Sequence, residues 1–246
     1  MMNREMIDKN SALFGLFDDK AMESKRVAEF QELFREQKLN AFYIPMNIRS
    51  DDLYFTLNGL KDSQIAGVNI GLDYKKEAVE QLDYLSDEVK IAGFVDSIKI
   101  EHKRLYGFIT VGKAITNFIE NGSRIGIFGS GALAKSIVYN LDKRDDLKEV
   151  TIIQDRVESA LKVVEIAKNI DLDIVFSNSE RAVKSSFFDY IIDATQGADL
   201  NIDFDSEPTL IAFKNSKLLP YSGKLVSNDE IRAEQNLIDI DEWINQ

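Results

Sequence analysis

Arg124-Ile125-Gly126-Ile127-Phe128-Gly129-Ser130-Gly131-Ala132-Leu133-Ala134 places a short apolar run directly before a glycine turn and a helix-forming stretch. Gly129 permits the tight turn, Gly131 lets backbone N–H groups approach a pyrophosphate, and Ala134 at the third fingerprint position allows close helix–strand packing. The helix that follows adds unsatisfied N–H groups and the positive end of its dipole, both favourable to an anion. The stretch therefore reads as the opening of a Rossmann-type parallel sheet, with Gly129, Ser130, Gly131 and Ala132 as a dinucleotide phosphate cradle. The same pattern also closes α/β units that bind nothing, so it speaks more strongly for the fold than for an occupied site.

Downstream, Glu149 to Gln154 reads as the next buried strand, and Asp155 follows where a carboxylate can accept hydrogen bonds from adenosine ribose hydroxyls. A carboxylate there repels a 2′-phosphate, so NAD is expected over NADP. Arg156 beside it can reach such a phosphate and keeps NADP open, while Asp155 also fits a solvated residue starting the next helix. Further strands are expected near 173–176, 189–193 and 209–213.

Strand and helix also alternate before the cradle. Strands are predicted at Leu13 to Phe17, Ala41 to Ile48 and Gly67 to Leu72, and helices at Ser24 to Lys38, Asp51 to Leu60 and Tyr74 to Leu85. Ser97 to Ile100 and Leu105 to Phe108 form a hairpin around Glu101-His102-Lys103-Arg104, and a helix from Gly112 to Glu120 leads to the cradle. The fold class is α/β: an N-terminal α/β substrate domain over 1–112 and a Rossmann-type dinucleotide-binding domain over 113–227. The segment 228–246 reads as a helix that folds back on the first domain, with Trp243 as its anchor.

Composition narrows the function classes. With 246 residues, 44% of them hydrophobic, the chain can bury a full core. A net charge of −12 argues against a nucleic-acid footprint. No cysteine and one histidine leave no thiolate site and little scope for a histidine metal site, and the adjacent Asp18 and Asp19 alone make no coordination shell. The run Met1 to Lys9 lacks the apolar core of a signal peptide, and no apolar run of about 18 residues occurs, so a cytoplasmic protein without a membrane partner is expected. Monomer and homodimer both remain open.

Several landmarks, in order, resemble the shikimate dehydrogenase family. Gly67-Val68-Asn69-Ile70-Gly71-Leu72-Asp73-Tyr74-Lys75 is similar to its G-x-N-V-T-x-P-x-K segment, and Ile91 to Ile98 to its I-G-A-V-N-T-I segment. Gly107 to Gly112 stands in the place of G-x-N-T-D-G, the cradle in that of G-A-G-G-A-x-x-A, and Asp193-Ala194-Thr195 in that of N-A-T. The resemblance implies a substrate domain followed by a nicotinamide-binding domain, with Lys75 on the catalytic lysine, Asn69 on a substrate residue and Thr195 beside the cofactor.

The departures fall on the chemistry. Val111 replaces the catalytic aspartate, Gly71 a threonine, Ile109 an asparagine, Asp96 the asparagine of V-N-T, and Ala132 a glycine of the cradle. Ser24 matches the first substrate serine but Arg26 replaces the second, and Gln235 is a candidate for the family's terminal glutamine. A guanidinium can hold a carboxylate through two charge-assisted bonds, so Arg26 is read as an acid anchor, although pairing with Glu23 or Glu29 explains it equally. Lys75 and Asp96 are the expected proton-transfer pair. Bland alternatives stand beside these roles: solvated charge for Lys75, a turn cap for Asp96 and a helix N-cap for Ser24. The expected function is NAD(P)-dependent oxidation or reduction of a small hydroxy or oxo acid, with weak or no shikimate activity. The alternative is a catalytically inactive nucleotide- or metabolite-binding protein.

Overall fold

A computed structural model describes residues 7–177, 182–195 and 197–244, with the side chain of Val157 outside that description. The chain divides into two compact units: the first takes the chain up to Ile109 together with the segment from Asn236 onward, and the second is Thr110–Gln235.

In the first unit β1 (Ala12–Asp18) lies between β2 (Ala41–Asn47) and β3 (Ile65–Ile70), all parallel. The short β4 (Tyr84–Leu85), β5 (Ser97–Glu101) and β6 (Arg104–Phe108) complete one sheet of order β2-β1-β3-β5-β6-β4, in which β5 runs antiparallel to both neighbours. His102 and Lys103 both adopt positive φ, 50° and 61°, which closes the β5–β6 hairpin with the twist that a two-residue turn requires. Helix α1 (Arg26–Glu36) buries Phe30 and Phe34, one turn apart on a single face, and α2 (Leu53–Leu60) buries Leu53, Leu57 and Leu60 in the same way.

Tyr74 to Leu85 is not the expected helix but two short 3₁₀ turns, Leu72–Tyr74 and Glu77–Gln81, followed by β4. The Lys75 carbonyl accepts from Val95 N–H at 2.9 Å, while the Val79 N–H turns to Lys76, so the regular helical ladder never starts. Asp83 and Ser86 N–H groups then bond the Leu105 and Gly107 carbonyls of β6. An unforeseen helix, α3 (Asp87–Ala92), begins where Ser86 Oγ accepts from Val89 N–H and ends at Gly93, whose φ is 74°.

The second unit opens with α4 (Val111–Thr116) and then β7 (Arg124–Phe128), α5 (Ala132–Leu141), β8 (Glu149–Gln154), α6 (Val157–Val164) and β9 (Leu172–Phe176). Short β10 (Val183–Lys184) and β12 (Ile202–Asp203) pair with each other, while β11 (Tyr190–Asp193), β13 (Thr209–Ile211) and β14 (Leu225–Val226) join the main sheet. Its order is β14-β13-β11-β7-β8-β9, every pair parallel. The chain winds outward from β7 on one side and from β11 on the other, so the strand order reverses between them. Crevices at such reversals, beyond the carboxyl ends of the strands, are where open α/β sheets bind ligands. Gly112 lies so close to α5 that a Cβ would strike the Ser136 side chain and come within 2.7 Å of its carbonyl. Phe188, just before β11, and Tyr190, its first residue, are buried, whereas Phe187 is exposed.

The C-terminal helix α7 (Asn228–Ile244) crosses the division between the units at Gln235. Beyond it, Trp243 stacks on Phe14 at 4.8 Å between ring centroids and packs with Phe30, Phe34 and Tyr43 in one core of the first unit.

Candidate functional site

Backbone pairing creates the polar centre of the first unit. Ile70 N–H bonds the Asp96 carbonyl at 2.9 Å, Asp96 N–H bonds Phe108 at 3.1 Å, and Val95 N–H bonds Lys75. Those three bonds carry Lys75, just beyond β3, against Asp96, just before β5. Lys75 Nζ donates to Asp96 Oδ1, and the carboxylate is buried while the lysine side chain keeps 21% of its exposure. Lys75 thus has a fixed partner behind it and a face toward solvent, and Nζ also lies 5.9 Å from the Phe94 ring centroid.

Asn69 and Gly67 lie two residues apart on β3 and meet Asp239 and Trp243, four apart on α7. Strand period and helix period coincide along this contact. A Cβ on Gly67 would come within 2.6 Å of the Trp243 ring, so glycine there lets the helix settle. Asn69 Oδ1 accepts from Tyr43 Oη at 2.7 Å, and Asn69 Nδ2 donates to Asp239 Oδ2 at 2.8 Å and to Ser97 Oγ at 3.4 Å.

Arg26, on the first turn of α1, pairs with neither Glu23 nor an open site. Its Nε donates to Asn236 Oδ1 at 2.8 Å, and its guanidinium lies 3.5 Å from Asp239 Oδ2. Asn236 in turn donates to Glu29 at 3.1 Å. Asp239 is fully buried and its Oδ1 has no hydrogen-bond partner. Burial pushes its carboxyl up to about 6, against the opposing pull of Arg26 and the Asn69 hydrogen bond. Burial likewise raises the Tyr43 hydroxyl well above its ordinary value. Ser24 precedes the N-cap position, which is Lys25, and Ser24 Oγ accepts from Arg26 N–H at 3.3 Å.

Two further substitutions acquire physical meaning. Gly71 has no room for a threonine, because a Cβ would run into the Asp18 carboxylate. Asp18 is itself partly buried, and desolvation raises its carboxyl. Val111 is buried at the start of α4. Gln235 is buried too and donates to Thr110 Oγ1 at 3.3 Å. Asn236 and Asp239 escaped sequence reading; the available signal was their three-residue spacing on a helix with Trp243 four residues further on.

In the second unit Gly129 has φ of 101°, and a Cβ on it would lie 3.2 Å from both the Ala194 carbonyl and Thr195 Cγ2. Thr195 is held there by Asp193, whose Oδ1 accepts from Thr195 N–H at 2.9 Å and from Oγ1 at 2.6 Å. Asp193 Oδ2 is buried without a partner. Gly131 occupies the N-cap position of α5 with no capping side chain, and a Cβ there would meet nothing within 4 Å. Ala132 begins the helix, and Ala134 is fully buried. Ser130 Oγ donates to Gln154 Oε1, which also receives Ser159 Oγ at 3.2 Å. Asp155 and Arg156 are both exposed after β8, with Arg156 at the N-cap position of α6. Uncapped N–H groups and open space before a helix suit a dinucleotide phosphate, so these residues fit the group expected. Among the described residues, no group of three or more His, Cys, Asp or Glu is arranged to hold a metal ion, and no helix is long and apolar enough to cross a membrane.

Known proteins point the same way. Residues 17–98 match the family model of the shikimate dehydrogenase substrate binding domain. The chain is 29% identical over 223 residues to shikimate dehydrogenase (NADP(+)) of Methanococcus vannielii, covering 86% of this chain and 77% of that one. It is 30% identical over 196 residues to the enzyme of the same name from Nitrosopumilus maritimus, covering 76% of this chain and 70% of that one. Among solved structures, 5-ketofructose reductase of Gluconobacter sp. strain CHM43 superposes with a TM-score of 0.78 at 19% identity, over 97% of this chain and 95% of that one. A shikimate dehydrogenase in complex with NADP+ superposes with a TM-score of 0.73 at 22% identity, over 98% and 92%. Likeness at such identity bears on the fold. The names of the relatives do not favour the NAD preference read from Asp155.

Proposed function

The chain belongs to the shikimate dehydrogenase family, and on that premise we propose that it is a nicotinamide-dependent oxidoreductase interconverting a small ketone and its secondary alcohol. The observation that carries this reading is the Lys75–Asp96 pair, a partly exposed ammonium backed by a buried carboxylate. A bound nicotinamide nucleotide supplies or accepts the hydride. As the carbonyl carbon takes hydride, its oxygen gains negative charge, and Lys75 Nζ donates the proton that completes the alcohol. Asp96 holds Nζ in place. In the opposite direction Lys75 removes the hydroxyl proton. The negative charge that the resemblance places at position 111 is supplied instead from 96.

Asn69 and Ser24 orient substrate hydroxyls in this reading, and shikimate itself is a poor substrate because the aspartate and second serine are absent. Gly129, Ser130, Gly131, Ala132 and Thr195 hold the nucleotide. Asp155 argues for NAD, while Arg156 and the relatives' names argue for NADP. Turnover of a panel of cyclic and open-chain hydroxy and oxo compounds with each nucleotide tests the proposal. Asp96→Asn is expected to cut kcat by about 10²–10⁴ without weakening nucleotide binding; unchanged kcat removes Asp96 from the chemistry. Buried, apolar Val111 favours a second reading, a nucleotide-binding protein without catalysis. Nucleotide binding without turnover on any member of the panel would select it.

A further inference from the structure

The substrate class follows from how the first unit treats its cations. Arg26 invites a carboxylate when read in sequence, yet it is held by Asn236 and paired with Asp239, whose side chain is completely buried. Lys75 is likewise paired with Asp96. The two pairs are linked, since Asn69 joins Asp239 to Ser97, the neighbour of Asp96. Glu29 joins the same cluster by accepting from Asn236. An incoming carboxylate would therefore find both of these cations already paired with a carboxylate, and would add a further negative charge to a poorly solvated cluster. A hydroxyl brings no charge to be compensated, and it donates as well as accepts.

Resting on the proposed oxidoreductase, we propose that the site takes an uncharged polyhydroxy ketone or its alcohol, and that Asp239 excludes carboxylic acids by neutralising Arg26. Asp239 is a specificity-determining residue that acts through Arg26 and Asn69.

Matched ligands differing only in the acid group provide the test. Shikimate is compared with shikimyl alcohol, in which a hydroxymethyl group replaces the carboxylate, and 2-keto-D-gluconate with D-fructose. Binding to the full chain is measured by calorimetry near pH 8, where Asp239 is ionised, and turnover with NAD and NADP is measured separately. The neutral member of at least one pair is expected to bind about tenfold more tightly than its acid. Asp239→Asn should erase or reverse that preference by uncovering the Arg26 charge, and the double variant Arg26→Gln/Asp239→Asn should remove the gain for the acid. Tighter binding of the acid in either pair, or no binding of either neutral ligand at its solubility limit, overturns the inference. The wild-type comparison decides even where a variant fails to fold. Preferred neutral binding without turnover would uphold the specificity and remove the oxidoreductase reading; turnover with the acid preferred would do the reverse.

Discussion

At the end of β7 the chain offers a ligand its backbone: Gly129 turns through positive φ, Gly131 faces open space, and α5 starts without a side-chain cap. On and around β3 in the other unit, polar side chains meet one another, from Tyr43 through Asn69 and Asp239 to Arg26 and from Lys75 to Asp96. The first kind of site is made by a few contiguous residues and suits any ligand with a phosphate in the proposed reading. The second depends on many distant residues and can be retuned by changing one of them. A change of one side chain is therefore expected to alter the second kind of site more than the first.

The largest effect that separates the two sites is expected at Lys75. Lys75→Met should lower kcat by about 10²–10⁴ while nucleotide affinity, read by fluorescence titration, stays within twofold. A parallel loss of nucleotide binding would mean that the sites do not act independently.

Asp239 comes next, and its signature is in stability rather than rate. Its carboxyl sits at about 6 in the folded chain against an ordinary 3.8, so between those values the folded state holds a proton that the unfolded state has released. Stability from this group is fully present below about pH 4 and is lost as pH rises through about 6, amounting to about 3 kcal/mol. Denaturant melts across that window should show the loss in the wild type and not in Asp239→Asn. A flat difference between the two would mean that Asp239 is solvated.

In the cradle, two glycines should part company. Gly129→Ala forces a left-handed residue against Ala194 and Thr195 and should cost about 1–3 kcal/mol of stability. Gly131→Ala, whose Cβ meets nothing, should melt like the wild type yet bind nucleotide several-fold more weakly because the methyl group stands in the phosphate path. Equal destabilisation by both would erase the distinction. The smallest expected effect is at Asp155, where Asp155→Ser should shift the NADP-to-NAD affinity ratio upward by a few-fold through lost repulsion of the 2′-phosphate. No shift would make Asp155 a solvated surface residue.

Much of the α/β architecture was legible because it is local: the apolar runs of β7 and β8, the glycine turn and the fingerprint alanine all lie within one short span of sequence. Tyr74 to Leu85 misled because its helical spacing is real, but the Lys75 carbonyl is captured by Val95, a partner no periodicity reveals. Lys75 and Asp96 were visible as a pair through their landmarks. The fate of Arg26 was not, since the residues that hold it are 210 and more positions away and had no motif of their own. Buried polar networks are specified by three-dimensional neighbours, and a single sequence carries little trace of them.

The division of α7 at Gln235 sets an order of events on the ribosome. All strands of the first unit are made by Phe108, yet Trp243 and Asp239, which fill its core and answer Arg26, emerge more than a hundred residues later. At about 5–20 residues per second that is a wait of roughly 7–27 s. During that interval Phe14, Phe30 and Tyr43 lack their stacking partner while the second unit is being made, and its last residue, Gln235, emerges before Trp243. The unit made first is finished last, so slowed or interrupted synthesis should expose the first unit to chaperones and proteases before the second.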